Sequence, residues 1–329
     1  MSTREQHTTE ESAVQLPLWD RAPQGALSPP VGAPFPRDIT PDSTVAVAIH
    51  WFAQHLRSTG RSEETTRTYT MSMSLFARYV GGHRKLSQIE KAHVSGFLAW
   101  LRDRRGRGRT SAKTIEVRGT ALRTFFAALE EEGILPDNPA RDVYPRRAST
   151  PLPEVLFYGE VDRVYQTAAR LAEEESPRVQ PYLLLILTLG MGLRLGEISR
   201  LTRGDVDLSD SFRPVVHVRY KAERHRHKAR TLIAPPEFAV IYRKHLDSIE
   251  DHELFPVTQR ALEYDIEGLG TLAELPRKLT ARTLRWTWAV RKMKQGVDGK
   301  RLRKLMGLSP IGWDGVKQIL GKLTAPPIG

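Results

Sequence analysis

Residues 181–208 read PYLLLILTLGMGLRLGEISRLTRGDVDL, and the rest of the chain is best read outward from them. Tyr182 to Leu193 form an apolar run interrupted by Thr188, Gly190 and Gly192. A run this short does not span a bilayer and reads as a buried helix closed by a glycine turn. Gly192 and Gly196 then flank Arg194 in Gly192-Leu193-Arg194-Leu195-Gly196-Glu197, followed by a second helix and Asp-Val-Asp-Leu. Glycines in such a turn allow the backbone to approach a bound anion closely. Arginine suits a phosphate there, because its planar guanidinium grips two oxygens and stays charged.

Downstream, Pro214 to Tyr220 and Arg230 to Ala234 read as two strands joined by a basic turn. Helical patterns follow at 236–249, 281–295, 299–306 and about 312–322. Upstream, Gly159 to Glu175 is helical, and the Pro-rich, basic stretch 144–153 (YPRRASTPLP) reads as a linker. Before it lie four helical segments. Val45, Ile49, Phe52 and Leu56 share one face, with Ser43 or Thr44 as N-cap and Gly60 as terminator. Ser62 opens a second, with Tyr69, Met73, Phe76 and Val80 inward. Lys91 to Arg104 and Ser111 to Glu132 complete a small bundle. Residues 1–41 are Pro-rich without periodicity and are expected to be a disordered tail. The expected domains are therefore a helical one over 42–143 and a mostly helical one with a small sheet over 154–325.

Forty per cent apolar residues and six tryptophans, over 329 residues, suffice for two buried cores. There is no cysteine, which excludes disulfides and Cys-based zinc sites. His225 and His227 alone do not make a metal site, and no metal or cofactor is expected. The first fifteen residues are polar and acidic and lack the apolar segment of a signal peptide. A cytoplasmic protein without a membrane partner is expected. The net charge is +12, which favours a polyanionic partner. That charge is concentrated: between Glu274 and Lys322 there are thirteen Lys or Arg against three acids.

Three stretches in this order, 181–208, 279–291 (LTARTLRWTWAVR) and 296–309 (GVDGKRLRKLMGLS), resemble the catalytic domain of the tyrosine recombinases, the phage-integrase family. The resemblance covers about 43–323. It implies a mainly α fold: an N-terminal helical (SAM-like) core-binding bundle, then a mostly helical catalytic domain with a small antiparallel sheet. It also implies two domains that close around duplex DNA as a C-shaped clamp, and strand cleavage by a tyrosine hydroxyl. By resemblance Arg194 is the first catalytic arginine. Arg285, in Arg282-Thr283-Leu284-Arg285, is the arginine of the family's His-x-x-Arg motif. The family's β-turn lysine is Lys221 or Lys228, and the spacing leaves both open.

Three family positions depart from the pattern. Arg282 replaces the histidine of His-x-x-Arg, Leu308 replaces a second histidine, and Lys317 stands at the spacing of the nucleophilic tyrosine. No tyrosine follows Tyr264 in the sequence. A fixed guanidinium shuttles no proton near neutral pH, and a leucine supplies neither proton nor hydrogen bond. The resemblance thus points to a catalytically degenerate homologue. It would bind double-stranded DNA and act as an accessory or regulatory factor in site-specific recombination or mobile-element integration, in the cytoplasm with the nucleoid. Arg194, Arg282, Arg285 and Lys317 are expected to hold one phosphate. Lys221, Lys228 and the loop residues Arg107 and Arg109 are expected on the DNA backbone. The alternative is an active recombinase using a tyrosine donated by a hetero-partner, or a non-tyrosine nucleophile. Ile319, Leu320 and Leu323 would either dock on a neighbour in an oligomer on DNA or pack at home.

Overall fold

The computed structural model describes residues 39–103, 110–144, 151–210 and 212–325. It divides into two compact units, Met1–Thr150 and Pro151–Gly329. Among the described residues no helix is long and apolar enough to cross a membrane.

The first unit is built from α1 (Val45–Ser58), α2 (Glu63–Val80), α3 (Lys91–Asp103) and α4 (Ala112–Glu131). Hydroxyl caps set three of the starts. Thr44, Ser62 and Ser111 accept from the backbone N–H of Val47, Thr65 and Thr114, which would otherwise be unpaired in the first turn. The helices close over Phe52, Phe76, Phe97, Phe125 and Phe126, all fully buried. Phe52 meets Phe125 edge-on at 5.1 Å, and Phe76 meets Phe97 edge-on at 5.3 Å. Ile39 is buried in this core, and the Pro41 carbonyl accepts from the Ser87 N–H at 2.9 Å. Packed chain therefore begins inside the stretch expected as tail. The rest of that tail, the loop bearing Arg107 and Arg109, and most of the expected linker lie outside the described residues.

The second unit starts with α5 (Tyr158–Leu171) and α6 (Gln180–Leu185), whose axis continues as one π turn over Ile186–Gly190. Thr188 donates its hydroxyl back to the Leu184 carbonyl at 2.6 Å and lies 3.2 Å from that of Leu185, a contact that loosens the regular ladder. Every residue from Leu183 to Leu189 is buried, so this rod forms the centre of the unit. The short α7 (Leu195–Ile198) follows, then β1 (Val206–Asp207), β2 (Val215–Val218) and β3 (Arg230–Ile233). They form one antiparallel sheet in the order β1-β2-β3, with Val216 opposite both Val206 and Leu232. The β2–β3 connection holds a 3₁₀ segment, Glu223–Lys228. Helices α8 (Glu237–Leu246), α9 (Gln259–Leu272), α10 (Ala281–Lys294), α11 (Gly299–Leu305) and α12 (Pro310–Thr324) complete the unit.

The architecture is mainly helical with one small antiparallel sheet. The sequence reading omitted α9, which Thr258 caps and which buries Leu262, Ile266 and Leu269. Helix α12 also starts earlier than expected. Ser309 caps it through the Gly312 N–H, and Pro310 takes the first helical position, where no N–H is needed.

Candidate functional site

Two residues beyond the π turn stands Gly192, whose φ of +77° is in the left-handed region. A Cβ there would lie 2.4 Å from the Trp288 ring, so position 192 requires glycine for both conformation and space. The turn hands the chain to Arg194, the N-cap of α7. Arg194 donates from its backbone N–H to Glu197 Oε2 at 2.8 Å, and from Nη1 to Glu197 Oε1 at 2.9 Å. Its Nη2 reaches the Gly307 carbonyl at 3.1 Å.

Arg285 comes from the second turn of α10 and is fixed by two backbone carbonyls. Its Nε donates to Gly192 O at 2.9 Å and its Nη2 to Met306 O at 2.6 Å. The two arginines are thereby tied to the same pair of loops, the turn at 192 and the turn at 306–307. At Gly307 (φ +58°) an added Cβ would approach Arg230 Nη1 to 2.8 Å and Lys228 O to 3.2 Å. The site is closed on that side by backbone.

A third guanidinium, Arg230 on β3, completes the cluster. It forms a two-pronged pair with Glu197, Nη1 to Oε1 at 2.9 Å and Nη2 to Oε2 at 2.8 Å, and also donates to Lys228 O at 3.0 Å. The Tyr220 hydroxyl adds a 2.7 Å bond to Glu197 Oε1. Burial would raise the Glu197 carboxyl. The hydrogen bonds and charge of Arg230, with bonds from Arg194 and Tyr220, outweigh it and hold the group at about 2. Burial, followed by the charge of Arg194, pushes Arg285 down to about 9, still protonated at neutral pH. One carboxylate thus pairs with two of the three guanidinium groups, and backbone carbonyls hold the third, Arg285, beside them. The excess positive charge is available to an anion.

Of the two hairpin lysines, Lys228 is the one the fold carries to this cluster. It is half-buried, its Nζ lies 3.1 Å from His225 Nδ1 and 5.7 Å from the Tyr220 ring centroid, and its carbonyl holds Arg230. Lys221 is exposed. Among the described residues no group of three or more His, Cys, Asp or Glu is arranged to hold a metal ion.

Beside the arginines opens a cavity of about 560 Å³. Arg194, Arg282 and Arg285 lie along it, with Trp286, Leu308 and Val316 among the apolar groups. Arg282 is exposed at its rim. Lys317, expected on the same phosphate, is not brought in: it is exposed, and its neighbour Val316 lines the cavity instead. Helix periodicity explains this. Trp313, Val316, Leu320 and Leu323 share the inward face of α12 and pack on the core, which leaves position 317 outward. Leu320 and Leu323 accordingly pack at home.

Sequence reading missed Glu197, Arg230 and Tyr220 as one cluster, and Gln259, Arg260, Glu263 and Glu267 of α9, which also line the cavity. A signal for the first was present, since Glu197 is a lone acid between Leu195 and Ile198 in an apolar segment.

Known proteins resemble the chain in sequence and in fold. Residues 49–133 match the model of the phage integrase N-terminal SAM-like domain. The chain is 23% identical over 259 residues to tyrosine recombinase XerC of Listeria innocua serovar 6a, covering 75% of this chain and 83% of that protein. It is 27% identical over 275 residues to tyrosine recombinase XerC of Rhizobium meliloti (strain 1021), covering 78% and 83%. Among solved structures, a lambda integrase dimer bound to a COC′ core site superposes with a TM-score of 0.65 at 16% identity, over 85% of this chain and 79% of that one. The XerH site-specific recombinase on a palindromic difH substrate gives 0.65 at 16% identity, over 84% and 81%. The chain is thus similar in sequence to tyrosine recombinases over about three quarters of its length, and its fold is that of the integrase-type recombinases.

Proposed function

We propose that this protein binds duplex DNA on a tyrosine-recombinase scaffold without cutting it, and serves as an accessory or regulatory factor in site-specific recombination or DNA integration. The observation that carries this reading is a preserved phosphate-gripping cluster beside a helix that lacks the attacking group. Arg194 and Arg285 are held by backbone carbonyls and Glu197 so that both face the same cavity. By the family's spacing the nucleophile falls at Lys317, and α12 contains no tyrosine. Tyr220, whose hydroxyl lies in the cluster, is no substitute. Burial and its bond to Glu197 raise its pKa and keep the proton on oxygen. Leu308 and Arg282 supply no proton carrier either.

In this reading 42–143 is the core-binding domain and 154–325 the catalytic-like domain. The solved neighbours support the choice of duplex DNA as partner, being a lambda integrase and a XerH recombinase bound to their sites. Lys228 takes the place of the family's β-turn lysine. The test is duplex binding across ionic strength, since each phosphate neutralised adds about 0.9 to the negative slope of log affinity against log salt. Steeply salt-dependent binding that Arg194→Ala and Arg285→Ala both weaken is the expected result. Binding indifferent to salt would overturn the reading.

A second reading, an active recombinase whose tyrosine comes from a hetero-partner, is favoured by one feature: the cavity beside the arginines has room for an aromatic ring. Mixing with a tyrosine-bearing homologue decides it. Recombination that depends on Arg194 of this chain would support it, and none would remove it.

A further inference from the structure

The cavity is larger than a phosphodiester needs. At about 560 Å³ it falls in the range of pockets that enclose whole small ligands, roughly 300–1,000 Å³. Its polarity is divided. Arg194 and Arg285, the fixed cations of the cluster, are part of its lining. Glu263 and Glu267 also line it, each already paired with another lining residue: Glu263 with Arg260 at 2.7 Å, and Glu267 with Lys278 at 2.5 Å. With both carboxylates paired, the lining keeps an excess of cations, and an anionic group is drawn to the arginines. An apolar part of the lining is formed by Leu279, Leu308 and Val316 with the indole of Trp286. Gln259 lies against the Arg194 turn, where an added Cβ on Gly196 would come within 3.3 Å of its Oε1. Its amide has no protein partner among the described residues and offers both a donor and an acceptor.

We infer that this cavity is a nucleotide site: the phosphate on Arg194 and Arg285, the base against Trp286 and the Leu308–Val316 wall, and the base edge within reach of Gln259. A simple phosphate would leave the apolar volume empty, and an uncharged apolar ligand would leave the arginines without an anion. A nucleoside phosphate satisfies both the cations and the apolar lining, because every base has a stackable face and a hydrogen-bonding edge. The inference rests on Arg194 and Arg285 as the phosphate-holding groups of the proposed function. Two sources supply this chemistry, a free nucleotide or one nucleotide swung out of a duplex.

The test is calorimetric titration of the full chain with deoxyadenosine 5′-monophosphate, deoxyribose 5-phosphate and deoxyadenosine. The nucleotide is expected to bind at least tenfold more tightly than either fragment. Val316→Phe, which fills the cavity, and Trp286→Leu, which removes the aromatic face, are each expected to weaken it at least tenfold. Both should leave salt-dependent binding of a fully paired duplex within twofold, which also shows that the variants fold. The source follows from a duplex with one mismatched pair, in which extrusion costs least. Tighter binding than to the matched duplex, lost in Val316→Phe, assigns the nucleotide to DNA; equal binding assigns it to the free pool. Equal affinity for the nucleotide and deoxyribose 5-phosphate, or nucleotide binding unchanged in both variants, would overturn the inference. Nucleotide binding without any duplex binding would leave it standing and overturn the DNA reading instead.

Discussion

Arg230 and Glu197 form a buried, two-pronged ion pair, with their side chains 7% and 1% exposed and both guanidinium–carboxylate bonds under 3 Å. The pair joins β3 to α7, and through Glu197 it also fixes Arg194. It therefore orders the cationic cluster and belongs to the stability of the second unit at the same time.

Glu197→Gln is expected to cost about 3–5 kcal/mol, the range for removing one partner of a buried pair and stranding the other charge. Urea unfolding monitored by tryptophan fluorescence measures it. A loss below about 1 kcal/mol would mean that water, not Glu197, compensates Arg230.

The same pair dictates a pH dependence. The folded Glu197 carboxyl titrates at about 2, below its ordinary value of 4.5. Between those values the unfolded chain binds the extra proton, so folding stability is full above about 4.5 and falls as pH drops toward 2. That shift corresponds to roughly 3 kcal/mol. In Glu197→Gln this part of the acid limb should disappear, as pH-dependent urea midpoints will show.

Gly192→Ala addresses the turn that presents Arg194. The left-handed backbone alone costs an alanine of order 1–3 kcal/mol, and the Trp288 ring 2.4 Å from the new Cβ adds a clash. Because Arg285 is anchored on the Gly192 carbonyl, duplex affinity is expected to fall together with the melting temperature. A stable variant with unchanged affinity would show that the anchor is dispensable.

Much of this was legible beforehand, and the gaps have physical causes. The bundle followed from hydroxyl caps at Thr44, Ser62 and Ser111 and from apolar stripes, both local signals. Arg194 and Arg285, which line one cavity, stood out because their motifs are local too. Helix α9 escaped because Gly268, Gly270 and several acids dilute a stripe that still runs through Leu262, Ile266 and Leu269. The Glu197–Arg230 pair spans 33 residues and exists only once the sheet has formed. Lys317 was placed on the phosphate by family spacing alone. The stripe Trp313, Val316, Leu320 sets the rotation of α12 and turns position 317 outward.

Lys317→Tyr tests whether the missing hydroxyl is the only deficit. An exposed substitution on α12 should change stability by no more than about 0.5 kcal/mol. It is nevertheless expected to form no covalent adduct with DNA, because position 317 faces away from the cavity and Leu308 and Arg282 still supply no proton transfer. Adduct formation, visible as a band shift after SDS, would show that the rest of the machinery is intact.

The central claim is that the natural chain binds DNA and does not break it. The most direct measurement is capture of fragmented host DNA on the purified protein, washed natively and then with hot SDS. The account predicts fragments that are enriched under native washing, sharing a common sequence, and fully released by SDS. Fragments that stay on the protein through SDS would reveal a covalent phospho-protein link and contradict it.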